Sequence, residues 1–139
     1  MYHLRKYKLK LADMTKKILV IEDDIALVKA YKEMFKPEEI SVIGATTAQE
    51  GLTLVKSEKP DLIILDIMLP GGKNGFDVLE ELKRNPATQK IPVVISTNLD
   101  SEEKVAKEIG VCNYIVKANT TKDEVMKLVM NCLKSSQSA

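Results

Sequence analysis

The chain has 139 residues, 45% of them hydrophobic and 29% charged, with a formal net charge of +1 at pH 7. That is one domain's worth of chain, long enough to bury a core without staples, and its near-neutral balance makes no electrostatic case for nucleic acid or an anionic membrane surface. The apolar runs are strand-length, so none is a candidate membrane span, and the sole histidine, His3, excludes a histidine-based catalytic centre in the body of the domain.

Residues 1–13 read as a separate piece. Met14 opens "MTKKILVIEDD", which reads as a natural start, and the leader before it carries Arg5, Lys6, Lys8 and Lys10 against Asp13. The leader therefore holds the net positive charge, and the body is slightly acidic. It lacks the continuous apolar core of a secretory signal and is expected to be a poorly ordered tail.

From Lys16 the hydrophobic period alternates between two and about 3.6 residues. "KILVI" (17–21) is a short β-branched run, a strand. "IALVKAYKEMF" (25–35) spaces Ile25, Val28, Tyr31, Met34 and Phe35 as a helix does, with Asp24 as its cap and Pro37 barring continuation. "ISVIGA" (40–45) is a second strand, mixed enough in polarity to suit a sheet edge. Thr47 and Glu50 fit a capping box opening a helix over 47–58. "DLIIL" (61–65) is a third strand. Gly71-Gly72 and Asn74-Gly75 then turn the chain into a helix over 76–84 that ends near Pro86. "IPVVIS" (91–96) is a fourth strand, and Ser101 is expected to cap a helix over 102–110. "CNYIVK" (112–117) is the fifth strand. Thr121 with Glu124 opens a last helix over 122–133, leaving 135–139 as a tail and 14–134 as the domain.

Five strands each followed by a helix imply an α/β fold: a parallel, doubly wound sheet with helices on both faces. Right-handed crossovers favour the flavodoxin-like order 2-1-3-4-5. The only cysteines, Cys112 and Cys132, form no CxxC and have no histidine nearby, so they read as two reduced apolar side chains in a cytoplasmic protein rather than a disulfide or metal site.

Ligand chemistry on such a sheet gathers beyond the carboxyl ends of its strands. There the sequence places Glu22, Asp23 and Asp24 after strand 1, Asp66 after strand 3, Ser96, Thr97 and Asn98 at strand 4, and Lys117 after strand 5. Anions gathered in one pocket repel unless a cation sits among them. Oxygen ligands without His or Cys point to a hard ion, and Mg²⁺ suits a site open to phosphate. Lys117 adds a second positive charge, and a carboxylate oxygen of Asp66 is left as the nucleophile for an acyl phosphate on the protein itself.

The segments "VIEDD", "PDLIILDIMLPG…NGFDVL", "IPVVISTN" and "NYIVKA", in that order and spacing, resemble the receiver (CheY-like) domain of two-component response regulators from about Met14 to Leu133. The resemblance implies Asp66 as phosphoacceptor, with Mg²⁺ bound by Asp23, Asp66 and the Met68 backbone carbonyl and by Glu22 through water. It implies Lys117 pairing with the phosphoryl group, Thr97 moving to hydrogen-bond it, and Tyr114 turning inward as the aromatic switch. It further implies a sensor histidine kinase or histidine phosphotransfer protein as donor, and a changed helix 4, strand 5, helix 5 surface read by a downstream protein or by a second copy in a homodimer. Such a module catalyses only its own phosphorylation and slow dephosphorylation. Three positions depart from the family pattern: Ala118 stands where proline is usual, the "PGGKNGF" loop is one residue longer, and Asn98 replaces a small residue. Met68 and Leu99 carry no side chain that orients an attacking water, so phosphate loss is expected to be slow unless Asn98 takes that role.

Two other α/β chemistries fit less well. A haloacid-dehalogenase-like phosphatase needs a second acid two residues after its nucleophile, where this chain has Met68. A flavodoxin needs a phosphate-binding loop after strand 1, where three acids would repel the phosphate.

Overall fold

The computed structural model describes residues 15–137, so the leader of residues 1–13 lies outside them. Five parallel strands form one sheet in the order β2-β1-β3-β4-β5. They are β1 (Lys17–Ile21), β2 (Ser41–Ala45), β3 (Leu62–Leu65), β4 (Val93–Thr97) and β5 (Asn113–Val116), alternating with helices α1 (Ile25–Phe35), α2 (Ala48–Glu58), α3 (Gly75–Arg84), α4 (Glu103–Ile109) and α5 (Lys122–Gln137). This is the expected flavodoxin-like, doubly wound arrangement.

Side-chain alternation along the strands divides the core in two. Leu19, Ile21, Ile63, Leu65, Val93 and Ile95 face one way, against Leu52 and Val55 of α2, Val78, Leu79 and Leu82 of α3 and Ala106 of α4. Ile18, Val20, Leu62, Ile64, Val94 and Ile115 face the other, against Val28, Tyr31 and Phe35 of α1 and Val125, Val129 and Leu133 of α5. β1 beyond its first residue, Lys17, and all of β3 are buried on both faces, which is why Ile18–Ile21 and Leu62–Leu65 are apolar at every position.

The helix starts follow local hydrogen-bond chemistry. Asp24 accepts from the backbone N–H groups of Ala26 and Leu27, and Thr47 from that of Glu50. Thr121 caps α5 through the Glu124 N–H. At α3 the Asn74 side chain accepts from Asp77 N–H and the Asp77 carboxylate accepts from Asn74 N–H, a reciprocal box that the reading of Asn74-Gly75 as a simple turn overlooked. Ser101 does not cap α4: Glu102 occupies that position without a side-chain bond, and the Ser101 hydroxyl points to Glu102 instead. α5 runs on past 133, where the sequence pattern ends it, through residues 135–137 at the start of the expected tail, and Ser135 and Ser136 bond back to carbonyls of their own helix.

The cysteine reading is overturned. Cys112 and Cys132 form a disulfide, with Cα atoms 6.1 Å apart. Their 20-residue separation gave no sign of proximity, because only the packing of α5 along β5 brings the two together.

Candidate functional site

The site grows out of the second sheet face. Continuing the alternation of Ile18 and Val20, of Leu62 and Ile64, of Val94 and of Ile115 places Glu22, Asp66, Ser96 and Lys117 on that side at the carboxyl ends of their strands. The ladders extend one residue further to hold the acids: Glu22 N–H donates to the Ala45 carbonyl at 2.9 Å and Asp66 N–H to the Ile21 carbonyl at 3.0 Å. An apolar strand with no freedom to shift thus delivers each carboxylate.

Glu22 and Asp66 are only 3% and 4% exposed, and unpaired carboxylates at such depth would be costly. All four of their oxygens have donors. The Lys117 ammonium bridges the pair, donating to Asp66 Oδ2 at 2.8 Å and to Glu22 Oε1. Met68 N–H donates to Asp66 Oδ1 at 3.0 Å, and Asp24 N–H to Glu22 Oε2 at 3.1 Å. Burial raises the Glu22 carboxyl above its ordinary range, against the lowering effect of Lys117 and the Asp24 N–H. Burial alone would depress Lys117, but its bonds to Asp66 and Glu22 outweigh this and hold the ammonium above the usual lysine value.

Asp23 adds a third, exposed carboxylate, and one oxygen each from Glu22, Asp23 and Asp66 lie within 4.8 Å of one another. Three carboxylates against a single ammonium leave an excess of two negative charges, and every ligand atom is a hard oxygen. That donor set fits a divalent oxygen-seeking cation.

Thr97 and Tyr114 sit beside this cluster on the opposite strand parity, and Leu99 links them. Thr97 is fully buried, and its Oγ1 accepts from Leu99 N–H at 3.4 Å. The Tyr114 ring is buried, and its hydroxyl donates to the Leu99 carbonyl. Asn98, between them, is exposed. Of the residues singled out by sequence, Glu22, Asp23, Asp66 and Lys117 form one constellation, while Thr97 and Tyr114 are tied to one loop. Met68 touches Asp66 through its N–H, and its side chain is 58% exposed. Among the described residues every peptide bond is trans, including that before Ala118.

Two supporting features were missed. Gly75 starts α3 directly against the loop that follows Asp66: a Cβ there would lie 2.3 Å from the Asp66 carbonyl oxygen, and Gly75 N–H donates to the Ile67 carbonyl at 2.8 Å. No side chain fits that approach. The second is a buried pair, Tyr31 hydroxyl to Ser96 hydroxyl at 2.9 Å, which ties α1 to the end of β4. Helical periodicity assigned Tyr31 to the core, but its hydroxyl partner 65 residues away carries no local signal.

The comparisons agree with this geometry. The family model described as response regulator receiver domain matches residues 18–130. The transcriptional regulatory protein AfsQ1 of Streptomyces coelicolor is 36% identical over 102 residues, a match that covers 72% of this chain and 44% of that protein. The chain thus spans less than half the length of that relative. Among solved structures, the signal receiver domain of a LuxO repressor protein from Vibrio parahaemolyticus is similar at 26% identity and a TM-score of 0.80, covering 88% of this chain and 93% of that one. The Mn(2+)-bound form of response regulator Rcp1 is similar at 29% identity and a TM-score of 0.70, covering 81% and 88%. With the sheet order, the acidic cluster and the family match in agreement, this chain belongs to the response regulator receiver domains, signalling modules of two-component systems.

Proposed function

We propose that the chain accepts a phosphoryl group on Asp66 from a phosphohistidine of a sensor histidine kinase or a histidine phosphotransfer protein. The observation that carries this reading is the Lys117 ammonium held jointly by Asp66 and Glu22 at the ends of three separate strands. A carboxylate oxygen of Asp66 forms the new P–O bond as the donor's P–N bond breaks and its electron pair returns to the imidazole. Asp66 needs little movement, because β3 and the Met68 N–H already fix its direction. Lys117, freed from part of its pairing, follows the charge onto the phosphoryl oxygens.

Glu22, Asp23, Asp66 and the Met68 carbonyl are the groups that would hold Mg²⁺. When bound, it neutralises charge on the transferring group. Thr97 donates its hydroxyl to the phosphoryl group in exchange for its contact with Leu99 N–H, and Tyr114 follows through the Leu99 carbonyl. The affected surface is that of α4, β5 and α5, which a downstream protein or a second copy of the chain would read. No helix among the described residues is long and apolar enough to cross a membrane, and a cytoplasmic setting fits a phosphohistidine donor.

The test is incubation with Mg²⁺ and a small acyl phosphate, followed by intact mass. The wild-type chain gains one phosphoryl group and Asp66→Asn gains none. An adduct on both, or on neither, overturns the assignment. Met68 and Leu99 offer no group to orient water, so the adduct should persist for minutes or longer; loss within seconds would count against that reading of the pocket.

A further inference from the structure

Away from the carboxylate cluster, at the amino end of β5, lies a second chemically reactive centre. Cys112 is exposed at the turn between α4 and β5, whereas Cys132 is buried on the inner face of α5 beside Val129 and Leu133. The ring closed by their bond contains all of β5, with Tyr114 and Lys117, and the first part of α5. We propose that this pair is a thiol–disulfide exchange site for a dithiol reductant, and that its state sets how firmly α5 is held against β5. This goes beyond the phosphoacceptor reading and does not depend on it.

The unequal exposure assigns the chemical roles. An external thiolate reaches the exposed Cys112, forms a mixed disulfide at its sulfur and expels Cys132 as a thiolate, which takes up a proton. The reductant's second thiol then attacks its own sulfur in the mixed disulfide. Cys112 is released as a thiol and the reductant leaves as its cyclic disulfide, having given two electrons to the protein. A disulfide-form oxidant such as glutathione disulfide runs the sequence backwards.

Both states are compatible with the fold. Once reduced, Cys132 packs as a small apolar side chain among Val125, Val129 and Leu133, which continue to bury the inner face of α5. Opening the bond does remove a covalent limit on the excursions of α5, since the cross-link acts chiefly on the more open states of the chain. The N-terminal end of α5 keeps its Thr121 cap, so the added freedom falls on its C-terminal half.

The experiment uses the full chain, oxidised with glutathione disulfide or reduced with dithiothreitol under native conditions. Intact mass after iodoacetamide labelling reports the bond, and amide hydrogen exchange reports α5. The oxidised chain should take no label, and native reduction should open the bond. Exchange over residues 130–137, the C-terminal half of α5, should then quicken by about tenfold or more while β1 and β3 stay unchanged. Cys112→Ser should show the fast exchange in both media. The proposal is overturned if glutathione disulfide leaves the thiols free, if the bond resists dithiothreitol until the protein is unfolded, or if α5 exchanges alike in both states. Asp66→Asn should retain both responses, so failure here and failure of the phosphoacceptor reading are separable.

Discussion

The two faces of the sheet are built from the same strands to different ends. The face under α2, α3 and α4 is apolar from Leu19 and Ile21 through Ile63 and Leu65 to Val93 and Ile95, with the buried Thr97 at its carboxyl edge. The face under α1 and α5 is apolar only at the amino ends of its strands and turns polar at Glu22, Asp66, Ser96 and Lys117. That second face also holds the Tyr31–Ser96 pair and the disulfide. The first supplies hydrophobic stability, and the second gives up part of it to keep two carboxylates buried and directed. Stability and chemistry are therefore separable by mutation to the extent that the two rows do not touch.

The largest expected effect tests the apolar face. Leu79 is fully buried on α3, and Leu79→Ala should cost about 3 kcal/mol in chemical denaturation by lost transfer energy plus cavity. The folded fraction should still accept phosphate at the wild-type rate. A loss of acceptance out of proportion to unfolding would mean that the faces are coupled.

Next comes Lys117→Ala, which leaves Glu22 and Asp66 side by side without their shared donor. A loss of about 2 kcal/mol at neutral pH is expected, allowing for the partial exposure of the ammonium. The pH dependence sharpens this. The Glu22 carboxyl is already raised by burial, so its contribution to stability is full below the ordinary glutamate range and declines as pH rises through the raised value. Removing Lys117 takes away one of the influences that lower it, and should widen that window upward. In the wild type the raised Lys117 contributes fully below the ordinary lysine value and is lost as pH climbs through its folded value. Denaturation midpoints measured from acid to alkaline pH would reveal both slopes; a Lys117→Ala variant with the wild-type acid profile would contradict the pairing.

The smallest effect belongs to Tyr31→Phe, which removes one buried hydroxyl and leaves Ser96 seeking a partner. About 1 kcal/mol is expected, together with a change in phosphate acceptance smaller than that of Lys117→Ala. If Tyr31→Phe is neutral for both, the polar row on the second face ends at the carboxylates.

Local pattern was a good guide where the physics is local. The α1 span from Ile25 to Phe35 emerged from spacing and Pro37, and the Asp24 cap from its place before the helix. The chemistry-bearing residues were legible because each sits at the end of a strand whose period was plain. What failed was of two kinds. The Ser101 cap and the Asn74–Asp77 box turn on competing side-chain bonds that composition does not rank. The Gly75 approach to Asp66 and the Cys112–Cys132 bond depend on how successive elements pack back on one another, and the Tyr31–Ser96 pair joins elements 65 residues apart in the chain.

By itself, then, the sequence determined the order of the elements, the sheet class and the carboxylate and ammonium groups at its carboxyl ends, since hydrophobic period and turn chemistry act over a few residues. Only the tertiary structure decided which oxygen each donor meets, which hydroxyls pair beneath the site and that two distant cysteines join. Those depend on how helices pack across a twisted sheet, where a shift of one side chain exchanges one partner for another.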